Sequence, residues 1–219
     1  MLNIFFIILS YLLGSFPSGH IITKLSVQKD ILEIGWRKTS GSNVFKNIGI
    51  WQGALTGLLD ILKGYLAVRL AQYYGQPDSI QVLCGVAAVV GHNWSLFLKF
   101  NGGRGIGTFG GALYAFSPVV FKFSLIPFLL LGIIWNLSIG TIVMLVLVFY
   151  WGNKFGLSNS VGQLVQLSLL PIFLKRLSPI KELKDPAVRR KVLLNRLIFD
   201  DDFYKDWRIK RIVKKLTKN

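Results

Sequence analysis

Apolar residues fall into long blocks along the chain, and short polar stretches separate them. The first block runs from Asn3 to about Thr23, the second from Trp51 to about Tyr74, and the third from Ile80 to about Leu98. A transmembrane helix needs roughly 17–25 mostly apolar residues, so each block is long enough to span a bilayer. The pattern therefore predicts three membrane-spanning helices before residue 100.

The stretch from Ile106 to Leu174 is almost uninterrupted apolar sequence, in which Lys122 and Lys154 are the cations. Breaks near Ser117-Pro118, Trp135-Asn136 and Gly152-Asn153 divide it into four shorter segments. Some are shorter than a full crossing, so tilted, re-entrant or merged segments remain open. We predict an all-α fold, a polytopic membrane helix bundle of about seven transmembrane helices, with about five as the alternative count.

The first block contains its own interruption, Gly14-Ser15-Phe16-Pro17-Ser18-Gly19. Proline removes a backbone donor inside a helix, so Pro17 should kink this span. The small residues around it favour close approach of another helix.

Charge settles an orientation for the predicted bundle. Cations concentrate in the loop from Lys24 to Lys46 and from Lys175 onward, whereas the turn from Tyr74 to Ser79 has none. Because cytoplasmic loops carry excess Lys and Arg, we predict the N-terminus outside and the C-terminus in the cytoplasm. The same rule accounts for the net charge of +16, so we expect no nucleic-acid partner.

Two regions follow from this division of the chain. Residues 1–176 form the predicted transmembrane bundle, and residues 177–219 form a basic cytoplasmic tail with an acidic cluster, Asp200-Asp201-Asp202. The segment from Phe203 to Leu216 mixes apolar residues with Lys and Arg, which favours an amphipathic helix on an anionic membrane surface. A solvated charged tail is the alternative.

The stretch from Gly91 to Thr108 links two apolar blocks with an unusual composition. Glycines allow backbone N–H groups to approach an anion, and a helix that begins after them directs its positive dipole end to the same place. The spacing of Gly103, Gly107 and Gly111 also favours close helix packing, and the two roles are compatible. We interpret the stretch as a phosphate site whose candidate residues are His92, Lys99, Gly102, Gly103, Arg104, Gly105 and Thr108.

Charged and titratable residues also lie within the predicted spans. Asp60 and Lys63 are three positions apart in the second block, so they can pair on one helical face. Two interpretations of this spacing are open. Either the pair only stabilises the bundle, or Lys63 binds an anion and Asp60 orients Lys63. His92 is the candidate for orienting or deprotonating a hydroxyl. No Gly-x-Ser-x-Gly motif is present, so we expect no acyl-enzyme.

The first loop offers a second group of polar side chains. Ser42, Asn43 and Lys46 lie between glycines and provide donors and a cation for another anion. The same residue types also suit an ordinary helix N-cap before the second span.

These motifs resemble those of the bacterial acyl-phosphate:glycerol-3-phosphate acyltransferases, the PlsY-type integral membrane enzymes. The likeness covers about the first half of the chain, and around Leu193–Leu197 and Asp202 it is faint. Its motifs are Tyr11–Pro17, Ser42–Gly49, Asp60–Gly64, Gly91-His92 and Phe97–Gly105.

The resemblance implies transfer of a fatty acyl group from acyl phosphate to the 1-hydroxyl of glycerol-3-phosphate, giving lysophosphatidate. It implies no metal and no cofactor, membrane lipids as neighbours, and the bacterial cytoplasmic membrane as location. His92, Ser42 and Asn43 would be catalytic, and Asp60 would be an orienting residue. The phosphates would be bound by Lys46, Lys63, Lys99, Gly102, Gly103, Arg104, Gly105 and Thr108.

The chain departs from the family pattern at several motif positions. Without gaps, Trp36 lies at the family's key serine, although a local shift would bring Ser40 or Ser42 there. A catalytically impaired relative that binds phosphate esters or regulates lipid synthesis is therefore an alternative, as is a small transporter. The other departures are Lys46 for arginine, Arg104 for lysine, Leu193 for asparagine and Asp202 for glutamate.

Overall fold

The computed structural model describes residues 2–177 and 186–199, and over these ranges the regular structure is helical throughout. The predicted all-α bundle is confirmed. Short 3₁₀ turns at Ile31–Glu33 and Leu96–Leu98 and a π-helical turn at Ser158–Gly162 connect the helices. The α-helices are α1 (Leu2–Ser15), α2 (Ser18–Val27), α3 (Gly41–Asn47), α4 (Ile50–Tyr73), α5 (Asp78–Asn93), α6 (Ile106–Phe116), α7 (Pro118–Ile134), α8 (Leu137–Lys154), α9 (Gln163–Arg176) and α10 (Pro186–Phe199).

The first apolar block is broken rather than kinked. α1 ends at Ser15 and α2 begins at Ser18, so Phe16 and Pro17 separate two helices. The Phe16 carbonyl oxygen at this break accepts a hydrogen bond from Lys63 Nζ at 3.1 Å. Pro17 thus interrupts the span at the predicted position. Lys63 of α4 contacts the junction between α1 and α2.

The small residues of α1 and α5 allow these two helices to pack closely, as predicted. A methyl group on Gly14 would clash with the carbonyl group of Ala88, and one on Gly91 would clash with the carbonyl group of Tyr11. Glycine is required at such contacts because the two backbones approach each other directly. Cys84 is buried nearby and packs beside Phe6.

The long apolar stretch divides at the three predicted breaks. Ser117 caps α7, accepting a hydrogen bond from Val120 N at 3.2 Å. Asn136 caps α8, accepting a hydrogen bond from Ser138 N at 2.6 Å. The third break follows Lys154, where α8 ends and the π-helical turn leads into α9.

Length and composition identify three described stretches that could cross a membrane, Leu2–Val27, Asp78–Leu98 and Leu137–Lys154. α4 is 24 residues long but carries charged residues, and α6 and α7 are shorter apolar helices. The number of crossings and the orientation of the termini stay predictions.

The buried apolar core lies between α4, α5, α6, α8 and α9. α6 packs closely on α4, because a methyl group on Gly64 would clash with the carbonyl group of Thr108 and one on Gly111 with that of Ile61. This contact fixes the start of α6 beside the middle of α4. The core side chains include Val68, Val82, Val89, Phe109, Leu113, Val148, Leu164 and Ile172.

Part of the predicted tail is helical and contacts the bundle. Arg176 at the end of α9 donates a hydrogen bond to the Leu197 carbonyl group of α10. Arg196 of α10 donates one to the Leu177 carbonyl group at 2.8 Å. The acidic cluster at 200–202 and the amphipathic segment at 203–216 lie outside the described residues, and the boundary at residue 176 stays a prediction.

Candidate active site

A cavity of about 830 Å³ opens between the loop before α4 and helices α4 to α9. One part of its lining is polar and the other apolar. Phe121, Leu125 and Phe128 recur along one face of α7, and Met144 adds to this apolar wall from α8. The polar lining residues are Trp36, Ser40, Ser42, Lys46, Asp60, His92, Arg104, Ser138, Thr141 and Arg176.

Asp60 is the centre of a buried polar cluster. Its Oδ1 accepts a hydrogen bond from Ser18 Oγ at 2.7 Å and lies 3.0 Å from Lys63 Nζ. His92 Nδ1 lies 3.4 Å from the same oxygen. Buried charges are stable only when they are paired and hydrogen-bonded, so α2, α4 and α5 meet at this carboxylate.

Lys63 lies outside the cavity lining. Its ammonium group contacts Asp60 and donates to the Phe16 carbonyl group, so both contacts belong to the helix junction. This arrangement favours the stabilising ion pair, the first of the two interpretations of its spacing. Its assignment as a phosphate ligand stays a prediction.

His92 lies in the last turn of α5 and faces the cavity. Its Nδ1 points at Asp60 but makes no aligned hydrogen bond within the described residues. Gly103 packs against the other ring nitrogen, because a methyl group there would clash with His92 Nε2. Gly103 also donates its N–H to the His92 carbonyl group at 3.0 Å, so this N–H joins the loop to α5 and is not directed to an anion.

Among the three glycines predicted to cradle an anion, Gly105 lines the cavity, whereas Gly102 and Gly103 do not. Gly105 has φ +77° and precedes the first residue of α6, Ile106, which also lines the cavity. The first N–H groups of a helix have no partner within it, so the N-terminus of α6 presents donors and a positive dipole end.

The predicted glycine face is shorter than the sequence indicated. Gly107 packs against Asp60, because a methyl group on this glycine would lie 3.1 Å from the Asp60 Cβ, and Gly111 packs on Ile61. Gly103 precedes α6 and contacts His92 instead. The four-residue spacing therefore crosses a helix boundary that periodicity alone does not show.

The first loop contains a helix of its own. Ser40 precedes α3, and Gly49 precedes α4, so the Ser–Asn group is not the cap of the second span. Ser40 and Ser42 both line the cavity, with their hydroxyl oxygens 3.3 Å apart. Two serines therefore lie at the cavity, although Trp36 occupies the position of the family's key serine when the motifs are aligned without gaps.

Asn43 is buried and lies outside the cavity lining. Its Nδ2 donates to the carbonyl groups of Ile34 at 3.1 Å and Lys38 at 2.8 Å. Its Oδ1 accepts a hydrogen bond from Trp36 N at 3.1 Å. The side chain therefore holds the loop from Ile34 to Lys38, and its predicted catalytic role stays untested.

Trp36 lies at the cavity together with two predicted phosphate ligands. The guanidinium carbon of Arg104 lies 4.6 Å from the indole centroid, and Lys46 Nζ lies 4.9 Å from it. Both are cation–π contacts. The structure thus brings together residues from α3, the first loop and the loop before α6.

Two further predicted ligands lie elsewhere. Lys99 is exposed with φ +51° and does not line the cavity. Thr108 is buried where α6 packs on α4. Leu193 is partly buried on α10, and Asp202 lies outside the described residues. The roles assigned to these residues stay predictions.

Arg176 is a cavity residue that sequence reasoning missed. It is buried at the end of α9 and donates to the Ser138 carbonyl group at 3.4 Å as well as to Leu197. A cation at the end of an apolar block, followed by basic sequence, was the available signal. In the sequence alone, this pattern indicates where the basic tail begins, and it does not assign Arg176 to a cavity.

No group of three or more His, Cys, Asp and Glu side chains that could hold a metal ion occurs within residues 2–177 and 186–199. The cations and donors at the cavity instead suit an anionic ligand.

The buried Asp60–His92 pair thus opens on a large, partly apolar cavity within a bundle of apolar helices. The family model for glycerol-3-phosphate acyltransferase matches residues 4–184 of the chain. The chain therefore belongs to the glycerol-3-phosphate acyltransferase family.

Individual relatives agree with this assignment. Glycerol-3-phosphate acyltransferase 1 of Dehalococcoides mccartyi is 32% identical over 200 residues, which cover 86% of this chain and 95% of that protein. The Enterococcus faecalis enzyme is 40% identical over 124 residues, 57% of each chain. The crystal structure of PlsY (YgiH), an integral membrane glycerol 3-phosphate acyltransferase, in its glycerol 3-phosphate form superposes with a TM-score of 0.73. It is 29% identical, and the match covers 84% of this chain and 92% of that one.

Proposed function

We propose that this protein transfers a fatty acyl group from an acyl phosphate to the 1-hydroxyl of glycerol-3-phosphate, giving lysophosphatidate for phospholipid synthesis. The observation that carries the proposal is the shared cavity, where His92 and Asp60 face the same space as the apolar side of α7. The matching PlsY structures are a glycerol 3-phosphate form and a lysophosphatidic acid form, which supports this acceptor and this product.

The reaction needs one bond to form and one to break. The acceptor hydroxyl oxygen attacks the acyl carbonyl carbon, and the bond from that carbon to the phosphate oxygen breaks. His92 takes the hydroxyl proton, which finally protonates the departing phosphate. Asp60 lies 3.4 Å from His92 Nδ1, so its charge orients the ring and stabilises the protonated imidazole.

Binding of the phosphate groups relies on cations from several elements. Lys46, Arg104 and Arg176 line the cavity, and the N-terminus of α6 opens on it. These groups position the two dianionic substrates in the cavity. In this scheme Lys63 acts indirectly, because it compensates the charge of Asp60.

The apolar wall supplies the site for the acyl chain. Phe121, Leu125 and Phe128 lie on the cavity side of α7, and each buried methylene group contributes about 0.8 kcal/mol. Binding along this wall places the carbonyl carbon of the donor near the polar lining and away from bulk water.

The protein is a multi-pass membrane protein, and we place it in the bacterial cytoplasmic membrane with lipids as its neighbours. Its relatives are bacterial, and the structural neighbour is an integral membrane enzyme. Family membership over most of the chain favours this reaction over a non-catalytic relative or a small transporter.

The test uses purified protein in detergent with palmitoyl phosphate and radiolabelled glycerol-3-phosphate. We expect labelled lysophosphatidate and an equal amount of inorganic phosphate, and no product when palmitoyl coenzyme A replaces the acyl phosphate. The Dehalococcoides mccartyi relative serves as the positive control in the same detergent. Absence of product beside an active relative would overturn the proposed function.

A further inference from the structure

The indole ring of Trp36 contacts two cations at the cavity, Lys46 and Arg104. Both lie within 5 Å of one ring centroid, so the two charges are less than about 10 Å apart. Like charges at this separation repel each other. The negative face of an aromatic ring attracts cations, which offsets part of this repulsion before any anion is bound.

The loop holds the Trp36 backbone in a fixed position. Trp36 donates its N–H to Asn43 Oδ1, and Asn47 Nδ2 donates to the same oxygen at 2.8 Å. Both neighbours of Trp36 are left-handed, Gly35 with φ +56° and Arg37 with φ +54°. A side chain on Gly35 would also clash with Asn47, so the turn that presents the ring depends on glycine.

The two cations come from separate elements, Lys46 from α3 and Arg104 from the loop before α6. Lys46 is exposed, and a lysine side chain loses up to about 2 kcal/mol of rotamer entropy when it is fixed. A ring that already holds the ammonium group near Arg104 reduces this cost at the moment of binding.

We propose that Trp36 is a positioning residue that holds Lys46 and Arg104 as one preformed pair for the phosphate dianion of one of the two substrates. This inference rests on the proposed function and deepens it. Trp36 acts through the two cations, so its loss weakens phosphate binding and leaves the chemical step nearly intact. Glycerol-3-phosphate and the acyl phosphate both carry such a group, and kinetics separates them.

The experiment compares Trp36→Leu with Trp36→Phe, which keeps an aromatic face. Trp51→Leu is the matched control, because Trp51 is exposed in the first turn of α4 and does not line the cavity. For each variant, kcat and the KM of each substrate are measured with the other substrate saturating, and inorganic phosphate is titrated as an inhibitor.

We expect Trp36→Leu to raise the KM of one phosphate substrate and the inhibition constant of inorganic phosphate about tenfold, with kcat within about threefold. Trp36→Phe should stay within about threefold of the parent, and Trp51→Leu should match it. The substrate whose KM rises is the one whose phosphate lies between the cations. If Trp36→Leu does not purify as a folded protein, Trp36→Met replaces it.

The inference is overturned if Trp36→Leu lowers kcat at an unchanged KM, if neither KM changes, or if Trp36→Phe is as impaired as Trp36→Leu. An inactive parent protein would instead overturn the proposed function. Calorimetric titration of the parent and Trp36→Leu with glycerol-3-phosphate and inorganic phosphate would then still test the pairing of the cations, with equal affinities contradicting it.

Discussion

Two regions of the molecule meet at the cavity, and they are built differently. The cluster of Asp60, Lys63 and His92 is buried between helices and joined by contacts that span the sequence from Ser18 to His92. The cluster of Trp36, Lys46 and Arg104 lies on loops and a short helix, with Lys46 exposed. We infer from this difference that the helical cluster positions the groups for proton transfer, whereas the more accessible loop cluster binds the phosphate.

The contacts in the helical cluster also contribute more free energy than those in the loop cluster. Removing one partner of a buried ion pair costs about 3–5 kcal/mol, because the other charge stays buried and unpaired. An exposed cation–π contact contributes about 0.5–1 kcal/mol. Substitutions in the helical cluster should therefore have large effects on stability or turnover, and those in the loop cluster should have smaller effects on binding.

The largest effect is expected from His92→Gln. Loss of a general base typically lowers the rate about 10²- to 10⁴-fold, so kcat should fall by that range while the KM values change little. His20→Gln is the matched control, since His20 pairs with Asp30 at 3.1 Å and does not line the cavity. Steady-state kinetics of both variants decides the point, and equal losses in the two would contradict the assignment of His92.

Asp60→Asn should lower the free energy of unfolding by about 3 kcal/mol, because it leaves Lys63 charged and buried beside a neutral amide. Lys63→Met should also destabilise the protein, since the Asp60 carboxylate then lies unpaired. The double variant should recover part of the loss. Unfolding of the four proteins in mixed detergent measures this coupling, and strictly additive losses would show that the pair does not act as a unit.

Asn43→Ala should weaken phosphate binding without removing turnover. The asparagine fixes the backbone of Trp36 and the carbonyl groups of Ile34 and Lys38, so its loss loosens the loop that presents the ring. We expect a KM increase of about fivefold, which corresponds to about 1 kcal/mol of binding free energy. Asn101→Ala is the control, because Asn101 is exposed and its side chain bonds locally to Leu98. A kcat effect as large as that of His92→Gln would instead support a catalytic Asn43.

The smallest effect should come from the apolar wall. Leu125→Trp narrows the cavity along α7, so the ratio of activity with palmitoyl phosphate to activity with octanoyl phosphate should fall about threefold. Leu129→Trp places the same ring one turn later on an exposed position that does not line the cavity. An unchanged ratio in Leu125→Trp would place the acyl chain elsewhere.

Much of the fold was predictable from the sequence, because apolar block length and turn residues are local signals. The breaks at Ser117-Pro118 and Trp135-Asn136 became helix boundaries where predicted. The site was predictable only in part. The spacing of Asp60 and Lys63 showed that they could pair, but the approach of Lys63 to Phe16 across 47 positions depends on packing.

The contact between Trp36 and Arg104 is likewise invisible to periodicity, because it joins two loops that only the folded chain brings together. Motif comparison marked Trp36 as a departure but gave it no role. Arg176 was missed for the same reason, since its position at the cavity beside Ser138 of α8 and Leu197 of α10 depends on the packing of distant helices.

The most direct test of the division between the two regions is the kinetic comparison of His92→Gln with Trp36→Leu, purified and assayed side by side. We expect His92→Gln to lower kcat at least about 100-fold at a nearly constant KM. Trp36→Leu should raise a phosphate-substrate KM about tenfold at a nearly constant kcat. If both variants change the same kinetic parameter, the helical and loop clusters do not have the separate roles in turnover and phosphate binding that we assign to them.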